Sequence, residues 1–511
     1  MNPSMRLASI KEVHTNGHFV EATESFHQLV DKLRQKSSGL QLSQAETLLK
    51  EEGRELLRQL MQGLLNAGGN GDVGVAVENS EGVVLLHKRE RSAQIKTIFG
   101  AVTTVRQGYS NHEEVSVFPK DQALNLSEGA FSYGLRKEVV QEVVRGSFAA
   151  TSESVLSHTG VKIHGRQIEE VTVDAAQDFE AFYERRAITK TKNVSTRKEL
   201  PLQVITSDGK GIVMRKEDLR EATRKKAEET SHHLQHRLSK GEKLNAKRMA
   251  TVAAVYDIDR YQRTPQDFLH DLDRIKLADK QPRPRPVDKR VWASIERRAK
   301  DVIHEAFQEA IGRDPDKRQE WVCLVDGDQK QIKLLKKQAR QAKREVTIVL
   351  DIIHVIEYLW KAARVFHEEK SKECEEWVTE RLQNILEGNA GHTAAGIRRS
   401  ATIQKFSKIK REPIETCAKY LLNHTQYMQY DQYLTKGYPI ATGVIEGACR
   451  HLIKDRLDIT GARWSLMGAE AVLRLRSIKS SGDFEKYWEF YESQEFGRNY
   501  GDNYFTAVDL N

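Results

Sequence analysis

Three carboxylates stand where they could hold a divalent cation. Asp208 and Asp326 each close an apolar run and precede a glycine, in Ser207-Asp208-Gly209 and Val325-Asp326-Gly327. An acid at a strand end, followed by a residue free to turn, stands at the rim of a sheet, where loops carry catalytic groups. Glu446 lies in TGVIEGACRHLIKDR (442–456), which reads as a helix. Residues 446, 450 and 454 share a helical face, so Glu446 is joined there by Arg450 and Lys454, two cations suited to phosphate. The intervals, 326 − 208 = 118 and 446 − 326 = 120 residues, are too long for a local metal loop. Folding must therefore bring the acids together. Three carboxylates can hold two Mg²⁺ ions about 3.5–4 Å apart, which clamp the attacking and leaving oxygens of an in-line phosphoryl displacement. Oxygen ligands select a hard cation. Asp-Gly by itself is an ordinary surface turn; the three acids on one element order point to catalysis.

A fourth acid competes. Asp351 closes VTIVLD (346–351) and precedes His354 by three residues at the opening of a helix. Asp351 is either the second catalytic acid or a helix N-cap, with His354 a hydrogen-bonded support. Asp326 is preferred, because its strand should lie beside that of Asp208.

The elements that must position these groups begin with ELPLQVITSDG (199–209) and GIVMR (211–215), read as two strands. The stretch 215–248 is polar, helical and basic, with 11 Lys/Arg against 6 Asp/Glu. MATVAAVYDI (249–258) is a third strand. A loop is expected over 264–290, where Pro282, Pro284 and Pro286 alternate with Arg283 and Arg285, and a helix over about 289–312. EWVCLVDGD (320–328) and VTIVLD are the fourth and fifth strands, with a helix between them. That order, completed by the helix of Glu446, predicts an α/β fold with a ribonuclease H-like catalytic core, its first part at 198–351 and its last at 436–491. Residues 352–435 read as an all-helical insertion and 492–511 as a loose tail. Upstream, apolar spacing predicts an N-terminal helical region (1–70), and short strands at 83–89, 95–100 and 102–110 predict a small β-subdomain (71–120). Residues 121–197 turn helical. Within them, the stretch Ser147–Thr159 ends at a Thr159-Gly160 cap signal, and Gly165-Arg166-Gln167-Ile168 opens a second helix. Helix, short turn, helix is the layout of a DNA reader, with Arg166 and Gln167 where base edges are contacted; a plain helical hairpin has the same pattern.

Composition bounds the class. The chain has 511 residues, and 81 Lys plus Arg against 73 Asp plus Glu give a net charge of +8. Hydrophobic residues are 39% and charged residues 30%, which excludes a disordered chain. No apolar run approaches the roughly 18 residues of a membrane span, and the N-terminus lacks a secretory h-region. The four cysteines form no CxxC, so no zinc motif is expected and the thiols fit a reducing cytoplasm.

These residues resemble a known family. GYPIATGVIEGACRHLIKDRLDITGARWSLMGAEAVLRLRSIKSSGDFEKYW (437–488) is similar to transposases of the Kra-four type of bacterial insertion sequences. VITSDGKGIVMR (204–215), LVDGDQKQ (324–331), VLDIIHVIEYLWKAAR (349–364) and the segment 124–160 fit the same family in the same order. The resemblance implies a DDE transposase with Asp208, Asp326 and Glu446 as its acids. Two Mg²⁺ ions, replaceable by Mn²⁺, are expected there, and no zinc. It implies double-stranded DNA as partner, at element ends and target, and a homo-oligomer on DNA. Arg450, Lys454, Arg456 and Arg463 are expected on phosphates, and Trp464 either stacks on an extruded base or packs between helices in the core. Asp351 and His354 resemble the C/D-x-x-H signature of Mutator-like transposases. Some relatives carry paired cysteines in the β-region, and this chain carries none there.

Overall fold

The computed structural model describes residues 17–37, 39–78, 82–111, 116–192, 200–229, 246–272, 282–459, 461–501 and 506–508. The chain divides into two compact units, Met1–Asp178 with Glu485–Asn511, and Phe179–Phe484. Residues 485–511 thus belong with the N-terminal elements, and the helix Phe179–Lys192 belongs with the larger unit.

In the first unit the expected helices form as Val20–Lys36 and Leu42–Ala67. The β-region holds β1 (Ala76–Glu78), β2 (Val84–Leu85), β3 (His87–Thr97) and β4 (Gly100–Ser110). β3 and β4 pair antiparallel along their whole lengths. The break expected between 89 and 95 is absent, because Arg89 and Ser92 pair with Gly108 and Val105. The C-terminal segment is no loose tail throughout: Phe484–Phe496 is helical, and a strand at Thr506–Val508 pairs antiparallel with β1. The helices Phe148–Thr159 and Gly165–Ala175 form as read from sequence. The Ser147 hydroxyl accepts from the Ala150 N–H, and Gly160 closes the first helix at φ +71°, a left-handed conformation natural to glycine.

The second unit is built on five strands: β5 (Leu202–Val213), β6 (Lys247–Ile258), β7 (Val287–Ser294), β8 (Glu320–Val325) and β9 (Val346–Leu350). They form one mixed sheet in the order β7-β6-β5-β8-β9. β6 is antiparallel to β5 and to β7, whereas β8 and β9 run parallel to β5. Their apolar side chains, among them Val204, Ile205, Val252, Val255, Val322, Leu324 and Val349, are fully buried.

The five strands are not the five expected. Residues 199–215 hold one strand, not two, because Gly209 and Gly211 stay extended and pair with Thr251 and Met249 of β6. The third strand is instead β7, in the stretch read as a loop and helix start; the helix begins at Ala299. The charges in VDKRVWAS hid it. β7 is an edge strand whose unpaired N–H groups would invite foreign strands. The helix Leu466–Ser480 and the residue after it cover that edge: Ser481 Oγ accepts from Val291, Ser477 Oγ from Ala293, and Glu470 from Ile295. Residues 221–229 and 265–272 are helical, and the stretches 230–245 and 273–281 lie outside the described residues.

Arg290 explains why a strand so charged can be buried. Its guanidinium donates to Glu305 at 2.6 Å and Glu309 at 2.9 Å, and lies 3.7 Å from the Tyr183 ring centroid. Removing it takes a charged hydrogen bond from each carboxylate, which costs about 1.5–3 kcal/mol, although Glu305 keeps Arg297 and Glu309 keeps Arg313. Arg290→Ala should therefore lose that much in chemical denaturation; a loss under about 1 kcal/mol would mean that the pair does not hold β7.

Candidate metal and phosphate site

The sheet places three acids in a row. β5 pairs with β8 up to Thr206–Leu324, and β8 pairs with β9 up to Val325–Leu350. Continued by two residues, the first register sets Asp208 beside Asp326; continued by one, the second sets Asp326 beside Asp351. Neighbouring strands lie about 4.8 Å apart. Asp208 does not end its strand as expected. It sits where β5 runs on past the end of β8, still paired with Val252 of β6.

Each acid is held differently. Asp208 Oδ1 accepts from the Gly209 N–H at 2.6 Å, and its Oδ2 accepts from the Cys449 thiol at 3.1 Å. Burial, then the Asp208 charge, push the Cys449 thiol up, so it remains a donor. Asp326 Oδ1 accepts from the Asp328 N–H at 2.9 Å. Asp351 is fully buried and caps the helix Ile352–Phe366 through an Oδ1 that accepts from Ile353 at 2.9 Å. Its Oδ2 accepts from the Thr442 hydroxyl. The N-cap reading of Asp351 is therefore correct as geometry.

It is not the whole of its geometry. Thr442 precedes the helix Gly443–Ala448 and so ties Asp351 to the turn that carries Glu446. Ligand atoms of Asp351, His354 and Glu446 lie within 4.8 Å of one another, which among the described residues is the one such His/acid group. Burial raises Asp351 above the usual carboxylate range. Burial raises Glu446 as well, followed by the charge of Asp351. Two carboxylates that resist ionising together, with an imidazole beside them, are a donor set that a divalent cation relieves. The donors present thus fit a cation. Asp208 also raises Glu446 through its charge, so it belongs to the same field.

The helix after Glu446 is not a simple α-helix. Residues Cys449–Lys454 form a π-helical turn, followed by Asp455–Leu457 as α-helix. The wider turn leaves carbonyls off the α-helical ladder, and the Arg476 guanidinium takes those of His451 and Leu452. Such turns are frequent at functional sites; this one contains the Cys449 that reaches Asp208. Arg450 and Lys454 remain exposed, with Arg450 3.6 Å from Asp455. Arg463 is exposed too.

Arg456 sits elsewhere than its expected role requires, and Trp464 takes the packed one of its two readings. The Arg456 guanidinium is buried 4.7 Å from the Trp464 ring centroid, and burial, then Arg476, lower it to about 10. Trp464 is 7% exposed, and its indole N–H donates to Leu457 at 3.1 Å. Its backbone pairs with Val213 and Arg215, stitching the chain to the end of β5. Base stacking needs an open ring face, which Trp464 does not offer here. In the other unit, the Arg166 side chain is 89% exposed beside Glu170, and Gln167 spends its carbonyl on capping His164.

Sequence reading missed two groups that hold the turn at Asp326-Gly327. In the helix Lys408–His424, Tyr420 donates its hydroxyl to the Asp326 carbonyl at 2.8 Å and stacks on Tyr358 at 4.0 Å. His424 Nε2 lies 2.9 Å from the Gly327 carbonyl. The spacing of 420 and 424 marks one helical face, but nothing local says what that face meets.

No protein-family model matches the chain, and neither does any curated protein. Among the described residues, no helix is long and apolar enough to cross a membrane.

Gly327 stands at φ +104°, and a Cβ there would come 3.0 Å from the Tyr420 hydroxyl. Gly327→Ala should cost about 1–3 kcal/mol through strain. Tyr420→Phe, which keeps the ring and loses one hydrogen bond, should cost about 1 kcal/mol. Equal losses in thermal or denaturant unfolding would show that backbone conformation at 327 is not the constraint.

Proposed function

We propose that this chain is a metal-dependent phosphoryl-transfer enzyme acting on DNA, built on a ribonuclease H-like core interrupted by a helical insertion. More particularly, we read it as the DDE transposase of a bacterial insertion sequence, which binds the element's terminal inverted repeats, cleaves a strand there and joins it to target DNA. The observation that carries this reading is the convergence of acids from remote parts of the chain. Asp208 lies in β5 where it runs past β8, Asp326 and Asp351 directly follow the neighbouring strands β8 and β9, and Glu446 meets Asp351 and His354 from a distant helix. The sheet order, three antiparallel strands continued by two parallel ones, supports the core assignment.

When bound, Mg²⁺ or Mn²⁺ would polarise the scissile phosphate and lower the pKa of an attacking water or 3′-hydroxyl. Asp208, Asp326 and Glu446 would hold it, with Asp351 and His354 supporting or sharing that task. The thiol of Cys449 and the hydroxyl of Thr442 orient the carboxylates of Asp208 and Asp351. Arg450, Lys454 and Arg463 would take backbone phosphates, and the helix opened by Arg166 would read the repeat. Synapsis of two ends calls for a homo-oligomer.

The test is strand cleavage and transfer on the element's own ends in Mg²⁺ or Mn²⁺. Asp208→Asn, Asp326→Asn and Glu446→Gln should each lower both activities about 100-fold or more while leaving DNA binding in Ca²⁺ intact. Asp351→Asn alongside decides between its two readings: a loss as large as that of Asp326→Asn makes it a ligand. Full activity in any of the first three removes that residue from the site.

A further inference from the structure

The helix between β8 and β9, Gln329–Gln341, carries a feature outside the site described above. From 329 to 344 the chain has seven cations and no acid: Lys330, Lys333, Lys336, Lys337, Arg340, Lys343 and Arg344. Ile332, Leu335, Gln338 and Ala339 bury one face against the unit. The first six cations are exposed on the other side. Only Arg344 turns inward, to Asp314 at 3.1 Å. Among the described residues, none of Lys330, Lys333, Lys337 and Arg340 has a carboxylate partner.

Elsewhere in the unit, Arg290, Arg297 and Arg313 meet acids. A surface that lines up cations at three- and four-residue spacing, with no acid between them, repels itself unless a polyanion neutralises it. Its position is fixed at both acids of the sheet edge. Asp328, two residues after Asp326, caps the helix by accepting from Lys330. Gln331 Nε2 donates to Ser207 Oγ at 2.8 Å, one residue from Asp208.

We propose that the stripe Lys330–Lys333–Lys337–Arg340 is a binding track for the phosphate backbone of duplex DNA, leading away from the acid row. Ten residues of helix span about 15 Å, and one DNA strand places a phosphate about every 3.4 Å along the axis. The four cations therefore face about four successive phosphates of one strand. A backbone contact of this kind fixes the register of the duplex and carries no base preference. The inference rests on the reading that the chain acts on DNA.

The test separates the two. Full-length protein is titrated with duplex DNA in Ca²⁺ across a salt series, so that no turnover is needed. The variant Lys330→Gln/Lys333→Gln/Lys337→Gln/Arg340→Gln keeps good helix formers throughout. Its slope of log K against log salt should be shallower by about 0.9 for each phosphate it no longer neutralises, about 3–4 in all, equally for element and unrelated duplexes. A control of equal charge, Arg298→Gln/Lys300→Gln/Lys317→Gln/Arg318→Gln, should keep the wild-type slope. An unchanged slope in the stripe variant, or the same drop in the control, overturns the track while leaving the DNA reading intact. Failure of the wild type to bind any duplex overturns both. If the stripe variant keeps its DNA slope but loses binding to phosphatidylserine vesicles, the surface is a membrane site and the proposal falls.

Discussion

Carboxylates brought close together repel each other, and the second unit gathers a buried one, Asp351, with an exposed one, Glu446. Asp351 is fully buried and Glu446 is raised by burial and by Asp351. Nothing in core packing calls for such a cluster; a hydrophobic residue in the place of Asp351 would fill the space at lower cost. The cluster persists because its members are tethered from several sides. A thiol holds Asp208, a hydroxyl and a backbone N–H hold Asp351, and a tyrosine holds the main chain of Asp326. Three of those tethers, from Cys449, Thr442 and Tyr420, come from segments more than 80 residues from the acid they hold. The helical segments after β9 are therefore part of what keeps the sheet edge in order.

The same edge shows how backbone geometry is used. Gly327 takes a conformation that side-chain-bearing residues avoid, which lets the chain turn directly under Tyr420 and His424. The π-helical turn at Cys449–Lys454 widens the helix just past Glu446, and Arg476 compensates its carbonyls. Both are local departures from regular structure within a few residues of an acid. Departures of this kind cost stability and are kept where a side chain must be aimed.

Much of this was legible from sequence, and the failures have physical causes. Asp208, Asp326 and Asp351 announced themselves because each follows an apolar run that could only be a buried strand. The Gly160 cap and the two helices around it were legible for similar local reasons. The merging of 199–215 into one strand was not, since Gly209 and Gly211 signal a turn unless a neighbouring strand holds them extended. β7 was hidden because its Arg290 reads as surface; only the facing Glu305 and Glu309 make it a core residue. Trp464 read equally as a stacking platform or a packed residue, because an aromatic beside arginines is ambiguous until its ring faces are seen. Tyr420 and His424 were illegible, because their meaning lies in what they touch.

The strand Thr506–Val508 lies on β1, Ala76–Glu78, across an interval of 506 − 78 = 428 residues. A ribosome adding about 5–20 residues per second needs about 20–90 s to cover it. Throughout that time β1 is already outside and lacks one of its two partners. The small sheet of the first unit therefore waits for a strand made 428 residues after its first one. Until that strand arrives, β1 keeps an open edge.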